Sequence, residues 1–223
     1  MYTIVFDLDG TLIDTAPDLI HTLNLVLTRE GLPEVSYDTA RNLIGGGAQV
    51  MIQRALAAEG RDATAAEMDR LYTEFIAYYS EHIADRSRPF PELERTLDAL
   101  AAAGLRLAVC TNKLERLSLR LLEALNLKQH FAAICGPDTF GVQKPDPEIF
   151  WQTVGRAGGE PSRAIMIGDS KTDIHTARAA RVPVVAVDFG YTEVPIESLQ
   201  PDRIISSFSE LPAAISELLG SNA

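Results

Sequence analysis

The sequence predicts an α/β protein in which a parallel sheet is interrupted by an all-helical insertion, and three observations carry that prediction. The chain opens on an apolar run, Ile4 to Phe6, that ends in Asp7 and Asp9 and turns at Gly10. From there to residue 86 no segment has the spacing of a strand. From residue 92 onward short apolar runs alternate with helical spacing, the pattern of repeated αβ units and hence of a parallel sheet.

Acids two residues apart point the same way in an extended segment. A buried first strand therefore delivers Asp7 and Asp9 together to its carboxyl end, where open α/β sheets keep their ligands. The first helix opens at Ala16-Pro17-Asp18 with Thr15 as candidate N-cap, carries Leu19, Ile20, Leu23, Val26 and Leu27 on one face, and stops before Gly31. Helical spacing recurs over 38–44, 50–58 and 65–83. Pro89 and Pro91, beside Arg86 and Arg88, then mark a break. Beyond it the pattern reads helix 92–103, strand 105–110, helix 114–126, strand 132–135, helix 147–157, strand 164–167, helix 171–181, strands 183–187 and 203–205, and helix 209–219. The lone strand at Ile4 to Phe6 cannot fold by itself, so it joins the later sheet. The expected domains are a Rossmann-like core of residues 1–14 and 87–223 and a helical cap of residues 15–86. The alanine-rich stretches 99–103 and 177–180 read as places of close helix packing.

With 223 residues, 46% apolar and 23% charged, the chain can bury a full core. Its 20 basic against 31 acidic residues give a net charge of −11, which argues against general nucleic-acid or anionic-membrane partners. Cys110 and Cys135 form no CxxC pattern and read as reduced, buried thiols. No basic-then-apolar leader opens the sequence, and no run approaches the ~20 apolar residues of a membrane span. The expectation is a cytoplasmic protein, with monomer and dimer both open.

The chemistry-bearing residues sit at predicted strand ends. A calcium loop starting at Asp7 is excluded, because its turn glycine would fall on Leu12 and its bidentate Glu on Asp18. Strand 105–110 ends in Thr111-Asn112-Lys113, whose first two side chains can donate to a phosphate oxygen or cap the helix beginning near Leu114. Lys144-Pro145 stands alone in a loop. Strand 164–167 ends in Gly168-Asp169-Ser170-Lys171-Thr172-Asp173, a carboxylate at a strand end with another four residues on. One sheet edge would thus gather Asp7, Asp9, Asp169 and Asp173 with Thr111, Asn112 and Lys144, the last as the only cation. Oxygen donors at that density suit Mg²⁺ rather than zinc, and a metal beside a carboxylate nucleophile points to phosphoryl transfer.

Asp7-Leu8-Asp9-Gly10-Thr11, Thr111-Asn112, Lys144-Pro145 and Gly168-Asp169-Ser170 through Asp173 resemble, in order, the four motifs of the haloacid-dehalogenase-like phosphatases. The resemblance covers essentially the whole chain, the helical block standing where one branch of that superfamily carries a small helical cap. Within the branch the likeness is greatest to the phosphoglycolate phosphatases. It rests there on Ile44-Gly45-Gly46-Gly47-Ala48, Thr111-Asn112-Lys113, and Gly190-Tyr191 followed by Gln200-Pro201-Asp202. The resemblance implies that Asp7 is the nucleophile and Asp9 the acid and base. It implies that Thr111, Asn112 and Lys144 bind the transferring phosphoryl group, and that Asp7, the Asp9 carbonyl and Asp169 hold Mg²⁺, with Asp173, Ser170 and Gly168 supporting that site. The partner it implies is a small phosphorylated metabolite, 2-phosphoglycolate first.

Two features depart from the family pattern. Phe90-Pro91-Glu92 stands where members often carry glycine after the proline, implying a stiffer hinge, and Asp146-Pro147 replaces a common His-Pro. Gly45, Gly46 and Gly47 read either as a plain helix–helix turn or as a cap turn whose N–H groups meet a small anion. His21, His82, His130 and His175 are scattered, and nothing resembles a nucleophile elbow. Pyrophosphate, or a sugar phosphate handled by a phosphatase or mutase, would use the same core residues, and a non-catalytic binding protein is the distant alternative. Dehalogenation is disfavoured by Asp9, since a halide leaving group needs no acid.

Overall fold

The computed structural model describes residues 1–41, 43–192 and 194–220. Its main sheet has six parallel strands: β1 (Thr3–Phe6), β4 (Arg106–Cys110), β5 (Ala133–Cys135), β6 (Ala164–Gly168), β7 (Val184–Val187) and β8 (Arg203–Ile205). They lie in the order β5-β4-β1-β6-β7-β8. The chain builds one half of the sheet outward from β1 and then crosses to its other side. The crevice at the carboxyl end of β1 is therefore the switch point where ligands bind in open α/β sheets.

Each strand buries alternate residues on opposite faces. Ile4 and Phe6 join the core formed with α5 (Leu93–Ala102), α6 (Glu115–Ala124) and α10 (Leu211–Gly220), whereas Val5 packs with α8 (Pro147–Arg156) and α9 (Lys171–Ala180). No residue of β1 is exposed to solvent, because strands flank it on both sides and helices cover both faces.

Between β2 (Ile13–Asp14) and β3 (Arg88–Pro89) the chain forms α1 (Ala16–Arg29), α2 (Tyr37–Arg41), α3 (Ala48–Ala58) and α4 (Ala65–Glu81). Among the described residues this insertion has no strand, as its spacing predicts. α4 is its axis, packing against both α1 and α3 through Leu71, Phe75 and Tyr79. The helix expected over 38–44 ends at Arg41, and Leu43 to Gly45 form a turn; Asn42 lies outside the described residues.

β2 and β3 pair as a two-stranded antiparallel ribbon where the chain leaves and re-enters the sheet region. Two-residue strands are too short to show a period, so the sequence gives no sign of them. The carboxylate of Asp18, in the first turn of α1, locks the two crossings together. It accepts from the Arg86 N–H at 3.0 and 3.1 Å, the Ser87 N–H at 2.8 Å and the Ser87 hydroxyl at 2.7 Å.

Several local expectations change. Thr15 occupies the N-cap of α1, but its backbone is helical rather than extended (φ −97°, ψ −7°), so its hydroxyl makes no capping bond. Thr111 and Asn112 do not cap α6, whose N-cap is Leu114 and whose first N–H is met by Asp138 Oδ1 at 2.7 Å. Ala99 and Ala101 to Ala103 are exposed, while Ala177 and Ala180 pack as expected. Glu92, at the position where glycine is common, adopts a left-handed φ of +64°. Asp146 is the N-cap of α8, accepting from the Glu148 N–H at 2.9 Å. Both cysteines are free and buried. Among the described residues no helix is long and apolar enough to cross a membrane.

Candidate active site

Four strand-end segments converge at the carboxyl edge of the sheet. Asp7 follows β1 directly; its backbone N–H is held by the Ile167 carbonyl at 2.9 Å, which fixes where the side chain emerges. Asp7 Oδ1 accepts from the Leu8 N–H at 2.7 Å and from Lys144 Nζ at 2.8 Å. Burial pushes this carboxyl up to about 7, the Asp173 carboxylate adds to the shift, and Lys144 opposes it.

The turn after Asp9 depends on Gly10, whose φ is +82° and where a Cβ would stand 2.4 Å from Asp169 Oδ2. This close approach lets Thr11 Oγ1 donate to Asp169 Oδ1 at 2.8 Å, while the Tyr191 N–H donates to Oδ2 at 2.6 Å. Burial raises Asp169 to about 8, with Asp173 and Asp7 adding repulsion and these two donors countering it.

Asp173 sits one turn into α9, just past Gly168 at the end of β6. Ser170 caps the helix and shares a reciprocal capping box with Asp173, whose Oδ2 accepts from the Ser170 N–H at 3.1 Å and hydroxyl at 2.6 Å. The other oxygen, Oδ1, takes Lys144 Nζ at 2.6 Å. Lys144 is 2% exposed, and its ammonium bridges Asp7 and Asp173. Burial disfavours that charge, but the two carboxylates outweigh it and hold Lys144 above the usual lysine range.

Asn112 positions this lysine. Its Oδ1 accepts from the Lys144 N–H at 2.9 Å and its Nδ2 donates to the Lys144 carbonyl at 3.2 Å, an amide reciprocally paired with one backbone residue. Nδ2 also reaches the carbonyl of Gly45, in the turn of the insertion, at 3.4 Å. Thr111 is buried and accepts from the Lys113 N–H at 3.1 Å.

Lys144 is not the only cation of the set. Lys113 Nζ reaches both carboxylate oxygens of Asp9, at 2.8 and 3.0 Å, and lies 4.6 Å from the ring centroid of Tyr79 on α4. A lysine following a strand end reads as solvated when met in sequence, because its partner stands 104 residues earlier in the chain. Thr11 and Tyr191 orient Asp169 from distant positions; in the sequence Thr11 shows only as the end of the Asp7–Thr11 motif and Tyr191 only in the Gly190-Tyr191 pair.

One ligand oxygen from each of Asp7, Asp169 and Asp173 lies within 4.8 Å of the others, and all three residues are buried. Three carboxylates crowded out of water repel one another, and an oxygen-only donor set of this kind can hold a hard divalent cation. Asp7 also lines a cleft of about 200 Å³ between sheet edge and insertion, behind whose wall Asp169 and Asp173 lie. Asp7, Asp9, Thr111, Asn112 and Lys113 form its polar wall, and Gly45 to Gly47 with α3 and α4 side chains form the other.

Strand-end acids, a bridging lysine and a helical insertion at the first strand form one constellation, and a sequence model of the haloacid dehalogenase-like hydrolases matches residues 4–187. The chain belongs to this family. A phosphoglycolate phosphatase of Mesorhizobium japonicum is 50% identical over 216 residues, covering 97% of this chain and 95% of its own. One from Agrobacterium fabrum is 48% identical, covering 96% and 92%. Among solved structures, a predicted phosphoglycolate phosphatase from Haemophilus somnus superimposes with a TM-score of 0.89 at 33% identity, over 96% of this chain and 97% of that one. As a haloacid dehalogenase-like hydrolase the chain is an enzyme, and the reaction must be accounted for by the groups gathered around the cleft.

Proposed function

We propose that the protein is a Mg²⁺-dependent phosphomonoester hydrolase that works through an aspartyl-phosphate on Asp7, with 2-phosphoglycolate as its substrate. The observation that carries this reading is the juxtaposition of Asp7, held by one buried lysine, with Asp9, held by another, on one wall of a single small cleft.

Both partners of the Asp7 side chain engage Oδ1, so Oδ2 is the oxygen suited to attack phosphorus. In the first half-reaction an Asp7 oxygen forms the new bond to phosphorus, the ester P–O bond breaks, and Asp9 passes its proton to the departing alkoxide. In the second, Asp9 takes a proton from water, the water oxygen bonds to phosphorus, and the Asp7 carboxylate leaves. Lys144 and Thr111 meet the charge on the transferring oxygens in a site largely closed to solvent. Asn112 contributes by fixing the Lys144 backbone. Asp7, Asp169 and the Asp9 carbonyl would hold Mg²⁺, with Asp173, Ser170 and Gly168 around them. The bound metal supplies a Lewis acid that relieves repulsion between the nucleophile and the phosphate dianion. Residues 15–86 would act as a cap that closes over each half-reaction and opens between them, turning on the ribbon at Ile13–Asp14 and Arg88–Pro89.

The identity of the substrate rests on the relatives near 50% identity and on the size of the cleft, which suits a small molecule. A panel of 2-phosphoglycolate, pyrophosphate and hexose phosphates, assayed with Mg²⁺, tests it. The expected result is a preference for 2-phosphoglycolate in kcat/KM; faster turnover of pyrophosphate or a hexose phosphate would reassign the substrate.

A further inference from the structure

We infer that Lys113 and Tyr79 form an anion subsite at the leaving-group end of the cleft, which selects phosphomonoesters whose alcohol carries a carboxylate. The inference rests on the reading above in placing the phosphoryl group at Asp7 and the leaving oxygen at Asp9.

The charges in and behind the cleft wall are unevenly committed. Lys144 is bridged between two carboxylates beside the phosphoryl position. At the other end, Lys113 is the cation, its side chain only 5% exposed and its ammonium on Asp9. An ammonium has three N–H donors, and Asp9 offers two oxygens. Tyr79, from the insertion, packs its ring against the same ammonium; its buried hydroxyl interacts with Lys113 and donates its proton to no acceptor among the described residues. Burial pushes that hydroxyl up to about 12, so it is a neutral O–H donor at working pH. Two donors, one charged, thus converge from opposite walls of the cleft.

The rest of the insertion's wall cannot serve an anion through side-chain charge. Among the described residues lining the cleft it contributes no charged group, and Ile44, Val50, Phe75 and Ile76 are apolar. A sugar ring would find few hydroxyl partners there. Asp7 and Asp9 repel a carboxylate, and Lys113 is the one cation among the described residues lining the cleft that can offset this; in this dry surrounding the ion pair is stronger than in water. The carboxylate of a two- or three-carbon phosphorylated acid lies close enough to its ester oxygen for both ends to be held at once.

The test compares matched pairs that differ by the carboxylate: 2-phosphoglycolate against ethyl phosphate, and 3-phosphoglycerate against glycerol 3-phosphate. The unsubstituted enzyme should prefer the acid of at least one pair in kcat/KM. Lys113→Gln should slow every substrate, because Asp9 loses its partner, yet lower the acid-over-neutral ratio by a further factor of roughly 10 to 100, the worth of a charge-assisted hydrogen bond, chiefly through KM. Lys113→Arg should restore part of the ratio, and Tyr79→Phe should lower it with the ammonium intact. A ratio unchanged within about twofold in both Lys113→Gln and Tyr79→Phe overturns the subsite and leaves Lys113 a positioning residue for Asp9. Should Lys113→Gln not fold, the Lys113→Arg and Tyr79→Phe ratios decide by the same criterion. No preference for either acid in the unsubstituted enzyme also overturns it. Absence of phosphoglycolate turnover together with a carboxylate-dependent preference in the second pair refutes the substrate named above but not the subsite.

Discussion

The ammonium of Lys144 lies 2.6 Å from a carboxylate oxygen of Asp173, a residue with no exposed surface. Asp173 also closes the capping box at the start of α9, so one side chain both starts a helix and aims the lysine at Asp7. Asp173→Ala leaves Lys144 its Asp7 partner but deletes the helix cap and one of the two carboxylates on the ammonium, and should cost about 1.5–3 kcal/mol of stability, the size of a hydrogen bond to a charged group. Lys144→Ala should lower kcat by roughly 10²–10³, the usual size of a lost electrostatic contact to a transition state. Urea unfolding and steady-state kinetics measure the two; a loss under about 1 kcal/mol in the first, or under threefold in the second, would show that the bridge does not serve this purpose.

The crowded carboxylates give a pH dependence with a definite sign. Asp7 and Asp169 are raised in the folded protein to about 7 and about 8, above their ordinary value of 3.8. Between those values the folded state binds more protons than the unfolded one, so stability falls as pH rises from about 4 to 8 in metal-free protein. A bound divalent cation pairs the ionised forms and offsets that fall. The difference in unfolding free energy between Mg²⁺-loaded and EDTA-treated protein should widen steadily from pH 5 to pH 8. Parallel curves would mean that these acids are not the metal site.

How far the sequence reaches can be judged at particular residues. Asp7, Thr111, Lys144 and Asp169 each follow or precede a strand or loop whose pattern is local, and a parallel sheet brings such ends to one edge. What stayed hidden depends on pairings distant in the chain. Lys113 is buried because Asp9 and Tyr79 come to it, and Asp169 is oriented by Thr11 and Tyr191, 158 and 22 residues away. The β2–β3 ribbon and the helix at Pro137–Phe140 have too few residues for any period to show.

Asp18 ties the two crossings of the ribbon through four hydrogen bonds to Arg86 and Ser87. Asp18→Ala would strand buried N–H donors and should cost about 2–4 kcal/mol. It should also loosen the helical insertion, seen as faster amide exchange at Arg86 and Ser87. A variant as stable as the parent, with unchanged exchange there, would remove Asp18 as the anchor.

Gly46 faces Val50, a cleft residue: a Cβ added at Gly46 would lie 2.9 Å from Val50 Cγ1. Gly46→Val should displace that wall and reduce phosphoglycolate turnover by roughly tenfold or more, as misplacement of about an ångström commonly does. Acetyl phosphate, which barely reaches the wall, should lose less. Equal losses for the two donors would contradict a selective role for the turn at Gly45 to Gly47.

The central claim is that Asp7 becomes covalently phosphorylated. Rapid acid quench of enzyme, Mg²⁺ and radiolabelled 2-phosphoglycolate, followed by peptide mapping, tests it most directly. The account predicts label on the peptide carrying Asp7 at times shorter than one turnover, and none in a folded Asp7→Asn variant, which has no nucleophilic oxygen at that position. Turnover with no labelled protein at any time, or an Asp7→Asn enzyme of undiminished activity, would contradict it.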